Sequence, residues 1–277
     1  MPGPIAIFDS GVGGLTVLRA AVRRLPHEDF VYFGDTAHVP YGTKSPETVR
    51  RLSLTHLAFL ARLRVKFAVI ACNTASAVAL SSVRRRLRLP MMGVIGPGVR
   101  RALNLTRNGR IGVLGTSTTI NSGAYQRELI RAGGKNVRVF AKACPLFVPL
   151  IEEGWIRHEV TRRVAAEYTA PLRKAGVDTV ILGCTHYPLI KAVIRGAMGS
   201  GVVLVDSAEA VGVELERELR KLGLLRTSAG KGRKRFYLTD VAGGFLRVAG
   251  RFLQGPIRNV VKVNAKVKAL NDVVVRQ

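Results

Sequence analysis

Two segments of this chain carry the same pattern. Ala68-Val69-Ile70-Ala71-Cys72-Asn73-Thr74 and Val180-Ile181-Leu182-Gly183-Cys184-Thr185-His186 align on sulfur, each an apolar run delivering a small residue, a cysteine and then hydroxyl or amide side chains. An unbroken apolar run, as opposed to an alternating one, marks a strand buried on both faces, as in a parallel sheet flanked by helices. The carboxyl ends of such strands are where open α/β sheets bind ligands. The similarity extends beyond the cysteines. Ile111-Gly112-Val113-Leu114-Gly115-Thr116 repeats the shape of the opening strand, and Ile5 and Ile111 lie 106 residues apart where Cys72 and Cys184 lie 112 apart. Near-equal offsets predict two similarly folded halves.

Short apolar strands alternate with helical patterns along the chain, the signature of βαβ units. Ile5 to Phe8 enters the turn Asp9-Ser10-Gly11-Val12-Gly13-Gly14, and Leu15 to Leu25 then has helical periodicity. Phe30 to Phe33 leads into the polar loop Gly34 to Gly42. Ser45-Pro46-Glu47 opens a long helix, with Ser45 as cap and Pro46 already at the first helical angle. Phe67 to Ala71 delivers Cys72, and a glycine and proline cluster near Met92 to Gly98 resets the pattern. Val202 to Val205 precedes Asp206-Ser207 and a helix through Leu222. Arg226 to Arg235 reads as a loop before Phe236-Tyr237-Leu238 and a last amphipathic helix from Asp240 to Leu253. The expected fold is α/β: two similar open, mainly parallel-sheet domains related by pseudo-twofold symmetry.

Duplicated halves that face each other place two thiols on opposite sides of one pocket. That arrangement removes a proton from one face of a carbon and replaces it from the other, which points to a racemase or epimerase. Buried cysteine is ordinarily a small hydrophobe, and Cys144, in Ala143-Cys144-Pro145, is assigned to structure on that ground. Cys72 and Cys184 differ because polar residues follow each where a core strand is finished. A free thiol titrates near about 8.5, so a thiolate base near neutrality needs a helix amino end or an acid-base neighbour. His186, two residues past Cys184, is such a neighbour. Asp9 sits directly at a strand end, which a plain glycine turn does not explain. Glu152 closes the stretch Pro145 to Ile151, and the residues alone leave it open whether Glu152 or Glu153 is functional or a surface charge. The turn at Asp9 lacks both the P-loop lysine and the spacing of a dinucleotide fingerprint.

With 277 residues, about two domains are expected, and 47% hydrophobic residues supply ample core. The start lacks a basic segment followed by a long apolar stretch, and the most apolar windows carry Asn73, Thr74, Ser76, Ser81 and Ser82, so neither a secretory signal nor a membrane span is expected. Cysteines at intervals of 72 and 40 form neither a disulfide framework nor a metal-ligand spacing. Reduced thiols, a cytoplasmic location and no bound metal are the expectation. The 44 lysines and arginines against 18 acidic residues give a formal charge of +26, which attracts anions, nucleic acid among them. The runs Arg84 to Arg88 and Lys231 to Arg235 lack aromatic interleaving and read as solvated faces and loops. Nucleic-acid association is therefore not expected as the main role.

Taken in order, the motifs resemble those of the cofactor-independent aspartate/glutamate racemase superfamily, and within it the glutamate racemases, from Ile5 to about Leu253. They are Phe8 to Thr16, Gly34-Asp35-Thr36 with Pro40-Tyr41-Gly42, Ala71 to Ala75, Gly115-Thr116 with Thr119 and Ser122, Pro145 to Leu150, and Leu182 to Pro188. A histidine after Cys184-Thr185 is similar to glutamate racemases, whereas aspartate racemases usually place a glutamate there. The resemblance implies two α/β domains, 1–95 with 208–277 and 96–207, with the active site in the cleft between them. It implies that Cys72 takes the α-hydrogen of D-glutamate and Cys184 that of L-glutamate, Asp9 assisting Cys72 while His186 and Glu152 assist Cys184. Ser10, Tyr41, Gly42, Asn73, Thr74, Thr116, Thr119 and Thr185, with Asp9 and His186, are implied to hold the substrate. No cofactor, a homodimer and supply of D-glutamate for peptidoglycan are implied with them. A relative in the same superfamily acting on aspartate, a hydantoin or a malonate is the alternative enzyme; a basic nucleic-acid-binding protein on this fold, and a purely structural descendant against which Asp9, Cys72, Cys184 and His186 argue, are the alternative classes.

Overall fold

A computed structural model of the chain describes residues 3–227, 230–241, 245–255 and 257–263. The chain opens with β1 (Ile5–Asp9), α1 (Leu15–Arg24), β2 (Phe30–Gly34), α2 (Pro46–Arg62) and β3 (Phe67–Ile70). The short helices α3 (Asn73–Val78) and α4 (Leu80–Arg86) lead to β4 (Met91–Gly93). A second series follows: α5 (Ile95–Leu105), β5 (Arg110–Gly115), α6 (Ser117–Asn121), α7 (Ala124–Gly133), β6 (Arg138–Ala143), α8 (Phe147–Glu152) and α9 (Glu159–Lys174). It ends with β7 (Thr179–Gly183), α10 (Lys191–Met198) and β8 (Val203–Asp206). Then come α11 (Ser207–Lys221), β9 (Lys234–Leu238), α12 (Phe245–Leu253) and β10 (Val260–Lys262).

The strands form two sheets, β10-β9-β2-β1-β3-β4 and β6-β5-β7-β8. Every neighbouring pair is parallel. The run β2-β1-β3-β4 and the whole second sheet share one strand order, with Cys72 two residues beyond the end of β3 and Cys184 directly beyond β7. In each sheet the chain reverses direction of travel between its first strand and its third, which makes the carboxyl ends of β1 and β3, and of β5 and β7, the switch points where crevices open. The central strands β1, β3 and β7 are buried throughout, which is why they read as unbroken apolar runs and not as alternating ones.

Local signals fix the start of α2. Ser45 caps α2 by accepting from Thr48 N, Pro46 takes the first helical position and Glu47 faces the amino end. The Gly96-Pro97-Gly98 cluster corrects the expectation of a reset, since it lies in the first turn of α5. There Pro97 costs little, because first-turn amides have no intrahelical acceptor. β4 and β6 were not expected as strands; β6 carries charge and is only partly buried, so it lacks the apolar run that exposes β1, β3 and β7. The last helix begins at Phe245, not Asp240, and residues 242–244, 256 and 264–277 lie outside the described residues.

One apolar core continues from β1, α1 and β2 through α11 to β7, α8 and Phe252, so the two sheets share buried material; α11 packs on both α1 and α5. Separate clusters lie under α2 to α4 and between α5, α7 and the second sheet. Each fully buried Leu, Ile or Phe in them contributes about 1.5–3 kcal/mol. Among the described residues no helix is long and apolar enough to cross a membrane.

Candidate active site

Cys72 is the amino-terminal cap of α3, only 5% exposed. Its thiol donates to Ser10 Oγ at 3.5 Å and accepts from Ala75 N at 3.5 Å. Asp9, fully buried at the end of β1, accepts from Gly11 N at 3.1 Å. A Cβ at Gly14 would stand 2.5 Å from Asp9 Cβ, so only glycine lets the turn wrap the carboxylate. Burial raises the Asp9 carboxyl above its usual range, against the opposing pull of His186 and of the Gly14, Gly11 and Ser10 amides. Burial, then the Asp9 charge, pushes the Cys72 thiol up to about 12. Cys72 is therefore held as a thiol.

Cys184 has the opposite surroundings. It is 7% exposed, and its Sγ lies 3.9 Å from His186 Nδ1. On the far side of the ring Nε2 is 3.0 Å from Glu152 Oε1, the last residue of α8. Phe252 of α12 meets the imidazole edge to face, with centroids 5.1 Å apart. Burial opposes the imidazolium, but hydrogen bonds and charge from Cys184 and Glu152 overcome it and raise His186 to about 10. The row Glu152, His186, Cys184 is a carboxylate, an orienting imidazole and a nucleophilic or basic sulfur. The third cysteine, Cys144, is fully buried, and burial raises its thiol far above the usual range; its carbonyl accepts from Tyr187 OH at 3.1 Å.

The two sides meet. A Cβ at Gly13 would fall 2.2 Å from Thr185 Oγ1 and 2.5 Å from His186 Nδ1, and one at Gly42 would fall 2.5 Å from Thr116 Cβ. Thr74 Oγ1 lies 2.9 Å from Thr116 Oγ1 and 3.1 Å from Thr119 Oγ1, with Thr116 and Thr119 themselves 2.9 Å apart. Tyr125 OH donates to Asn73 Oδ1 at 2.6 Å, and Thr16 Oγ1 to the Thr185 carbonyl at 3.3 Å. Asp9, Ser10, Cys72, Asn73 and Thr74 thus face Thr116, Thr119, Cys184, Thr185, His186 and Glu152 across one seam. Tyr41 is also buried beside it, but its hydroxyl donates to Asp35 Oδ2 at 2.6 Å. What the Tyr41-Gly42 turn offers a ligand is accordingly its backbone.

Two buried polar atoms of the seam have no hydrogen-bond partner, Asp9 Oδ1 and Asn73 Nδ2. One is an acceptor and the other a donor. Buried polar groups are ordinarily paired, and an ammonium and a carboxylate on one carbon would satisfy both. The expected site residues did not include Gly13, Asp35, Tyr125 or Phe252, although Gly13 and Asp35 lie in segments that the sequence singled out. Asp35 stands directly after β2, one residue beyond the register position of Asp9 at the end of β1; the others are recognisable only from what packs on them.

Among the described residues, Asp35, His38 and His56 form a group whose ligand atoms lie within 4.8 Å of one another. Asp35 Oδ1 is met by His38 and Thr239 and Oδ2 by Tyr41, with His56 Nε2 at 2.9 Å as an ion-pair contact.

These features recur in known proteins. The model of the Asp/Glu/Hydantoin racemase family matches residues 10–215. The chain is 52% identical over 264 residues to a glutamate racemase of Geobacter metallireducens, covering 95% of this chain and 97% of that one. It is 46% identical to a glutamate racemase of Neisseria meningitidis serogroup B, over 94% of this chain and 96% of the other. The crystal structure of Francisella tularensis glutamate racemase in complex with D-glutamate superposes with a TM-score of 0.90 at 37% identity, covering 96% of this chain and 98% of that one. A Thermus thermophilus glutamate racemase in complex with β-chloro-D-alanine gives 0.84 at 44% identity, covering 95% and 97%. An aspartate racemase homologue from Pyrococcus horikoshii, 19% identical with a TM-score of 0.57, shares the fold alone. With the duplicated sheets, the paired strand-end cysteines and these likenesses together, the chain belongs to the Asp/Glu/Hydantoin racemase family.

Proposed function

We propose that the chain interconverts L- and D-glutamate by moving one proton between two cysteines, supplying D-glutamate for peptidoglycan. The observation that carries this reading is the pair of buried thiols at matching strand ends, one beside a carboxyl and the other beside an imidazole that Glu152 orients. Cys184, as thiolate next to the His186 imidazolium, takes the α-hydrogen of L-glutamate as a proton, leaving the electron pair on the α-carbon. The Cys72 thiol then delivers its own proton to the opposite face. The product is D-glutamate, with Cys184 now a thiol and Cys72 a thiolate; the reverse sequence converts D to L. Asp9 Oδ1 and Asn73 Nδ2, the unpartnered acceptor and donor, suit the substrate's ammonium and carboxylate. The ammonium beside Asp9 also offsets the charge that disfavours a Cys72 thiolate. Ser10, Thr74, Thr116, Thr119, Thr185 and the Tyr41-Gly42 backbone supply fixed dipoles for the carboxylates, which stabilise charge developing at the α-carbon.

Glutamate is favoured over aspartate by His186 and by the relatives' identity. On the sheet memberships we place the domains at 1–95 with 208–277 and at 96–207, and we take the enzyme to be a cytoplasmic homodimer. The deciding experiment is incubation with L-glutamate in deuterated water without added cofactor or metal, followed by chiral analysis and mass spectrometry. D-glutamate carrying one deuterium at the α-carbon is the expected product. Conversion of aspartate in its place, or no exchange at all, would overturn the assignment.

A further inference from the structure

Behind the Tyr41-Gly42 turn lies a polar cluster that the proton-transfer scheme does not use. Asp35 is fully buried after β2, and four side chains converge on its two oxygens. Tyr41 OH donates to Oδ2 at 2.6 Å, and Thr239 Oγ1, just past β9, donates to Oδ1 at 2.8 Å. His38 Nδ1 lies 2.7 Å from Oδ1, and His56 Nε2, from within α2, 2.9 Å from Oδ2. Burial opposes the ionised carboxyl, yet the His56, His38 and Tyr41 contacts hold Asp35 well below the usual carboxylate range. Asp35 is thus favoured as a carboxylate inside the fold.

His56 is 2% exposed and stacks on Phe33, with centroids 4.8 Å apart. Neither of its ring nitrogens has a well-aligned hydrogen bond, so the close charge contact of Nε2 with Asp35 is what accounts for a histidine in this apolar layer. The turn that Asp35 grips is held from the opposite side as well. Thr118 Oγ1 donates to the carbonyls of Gly42 at 3.0 Å and Lys44 at 2.9 Å, and Gly42 abuts Thr116. The turn is therefore clamped between an anion beneath it and the second half of the molecule across the seam.

We infer that Asp35, braced by His56 and His38, is a positioning residue that sets the height of the Tyr41-Gly42 turn against Thr116 and thereby the affinity for substrate. This rests on the reading of the turn as part of a glutamate site. Asp35 acts through the Tyr41 hydroxyl and touches no reacting atom, so its removal weakens binding more than proton transfer. The test is racemisation kinetics on wild type, Asp35→Asn, Tyr41→Phe and the double variant. Asp35→Asn is expected to raise KM for glutamate about tenfold, the worth of one charge-assisted hydrogen bond, with kcat changed by less than about threefold. In the double variant KM should match the worse single variant, since both remove one contact. An unchanged KM in Asp35→Asn, a fall in kcat alone, or multiplying effects in the double variant would each overturn the inference. Should Asp35→Asn not fold, His38→Ala at the half-exposed end of the cluster carries the test; a KM raised about threefold supports the brace and an unchanged one refutes it. A wild-type chain that exchanges no α-hydrogen of glutamate would instead overturn the functional reading, and this inference with it.

Discussion

Cys72 and Cys184 share a chain context and differ in electrostatics, and the difference is what two-base chemistry uses. Cys72 is pushed up to about 12 beside Asp9, whereas Cys184 faces an imidazole raised to about 10. Replacing either by serine removes the acid-base group and leaves the volume nearly intact. Cys72→Ser and Cys184→Ser should each lower racemisation by about a thousandfold with an unchanged circular dichroism spectrum; near-normal turnover in either would remove the mechanism. Glu152 offers a subtler check. Its carboxylate is one of the groups raising His186 to about 10 from 6.5. The imidazolium is present below that pH and lost as pH rises through it, and its contribution to stability runs the same way, complete below 6.5 and gone above about 10. Glu152→Gln should shift the alkaline limb of the L-to-D pH profile to lower pH; a limb that stays in place would show that Glu152 does not support His186.

At the level of elements, β1 and β3 bring Asp9 and Cys72 to one crevice, β5 and β7 bring Thr116 and Cys184 to the other, and the glycine turn after β1 lets the crevices touch. Gly13 has no room for a side chain, since a Cβ there would meet Thr185 Oγ1 at 2.2 Å and His186 Nδ1 at 2.5 Å. Gly13→Ala should displace the histidine, and a shift of about 1 Å in a catalytic group costs on the order of a hundredfold in rate. The melting temperature should fall only slightly, because the obstacle is side-chain atoms at a seam and not core backbone. A variant with normal kcat would show that the seam opens wide enough for the turn to be immaterial. Helix α8 has a comparable task, ending on the residue that orients His186. Its apolar stretch was legible in the chain; that Glu152 and not Glu153 faces the histidine follows from how α8 packs beside the Tyr187 segment.

Across the whole molecule, the seam is closed: both sulfurs are buried, and threonines from each half contact one another. Exclusion of water from a thiolate that must deprotonate so weak an acid is consistent with this closed form, and substrate that bridges the halves should stabilise it. D-glutamate at about 100 times its dissociation constant should add about 2.7 kcal/mol to unfolding, read as a rise in melting temperature; no rise would mean that the halves are not tied together by ligand. The chain by itself determined the repeated strands, the two sulfurs at their ends, the capped start of α2 and hence the α/β class, because burial on two faces, end-of-strand polarity and capping are written in neighbouring residues. It did not show β4 and β6 as strands, the helix running on from Gly96-Pro97-Gly98 or the Asp35 network, and it paired Glu152 with His186 only through the family resemblance. Those depend on groups brought together from distant positions, Thr239 to Asp35 and Glu152 to His186 among them. Only tertiary structure decides such pairings, because a hydrogen bond or an apolar contact forms between whichever surfaces packing leaves opposed, and local periodicity carries no record of that choice.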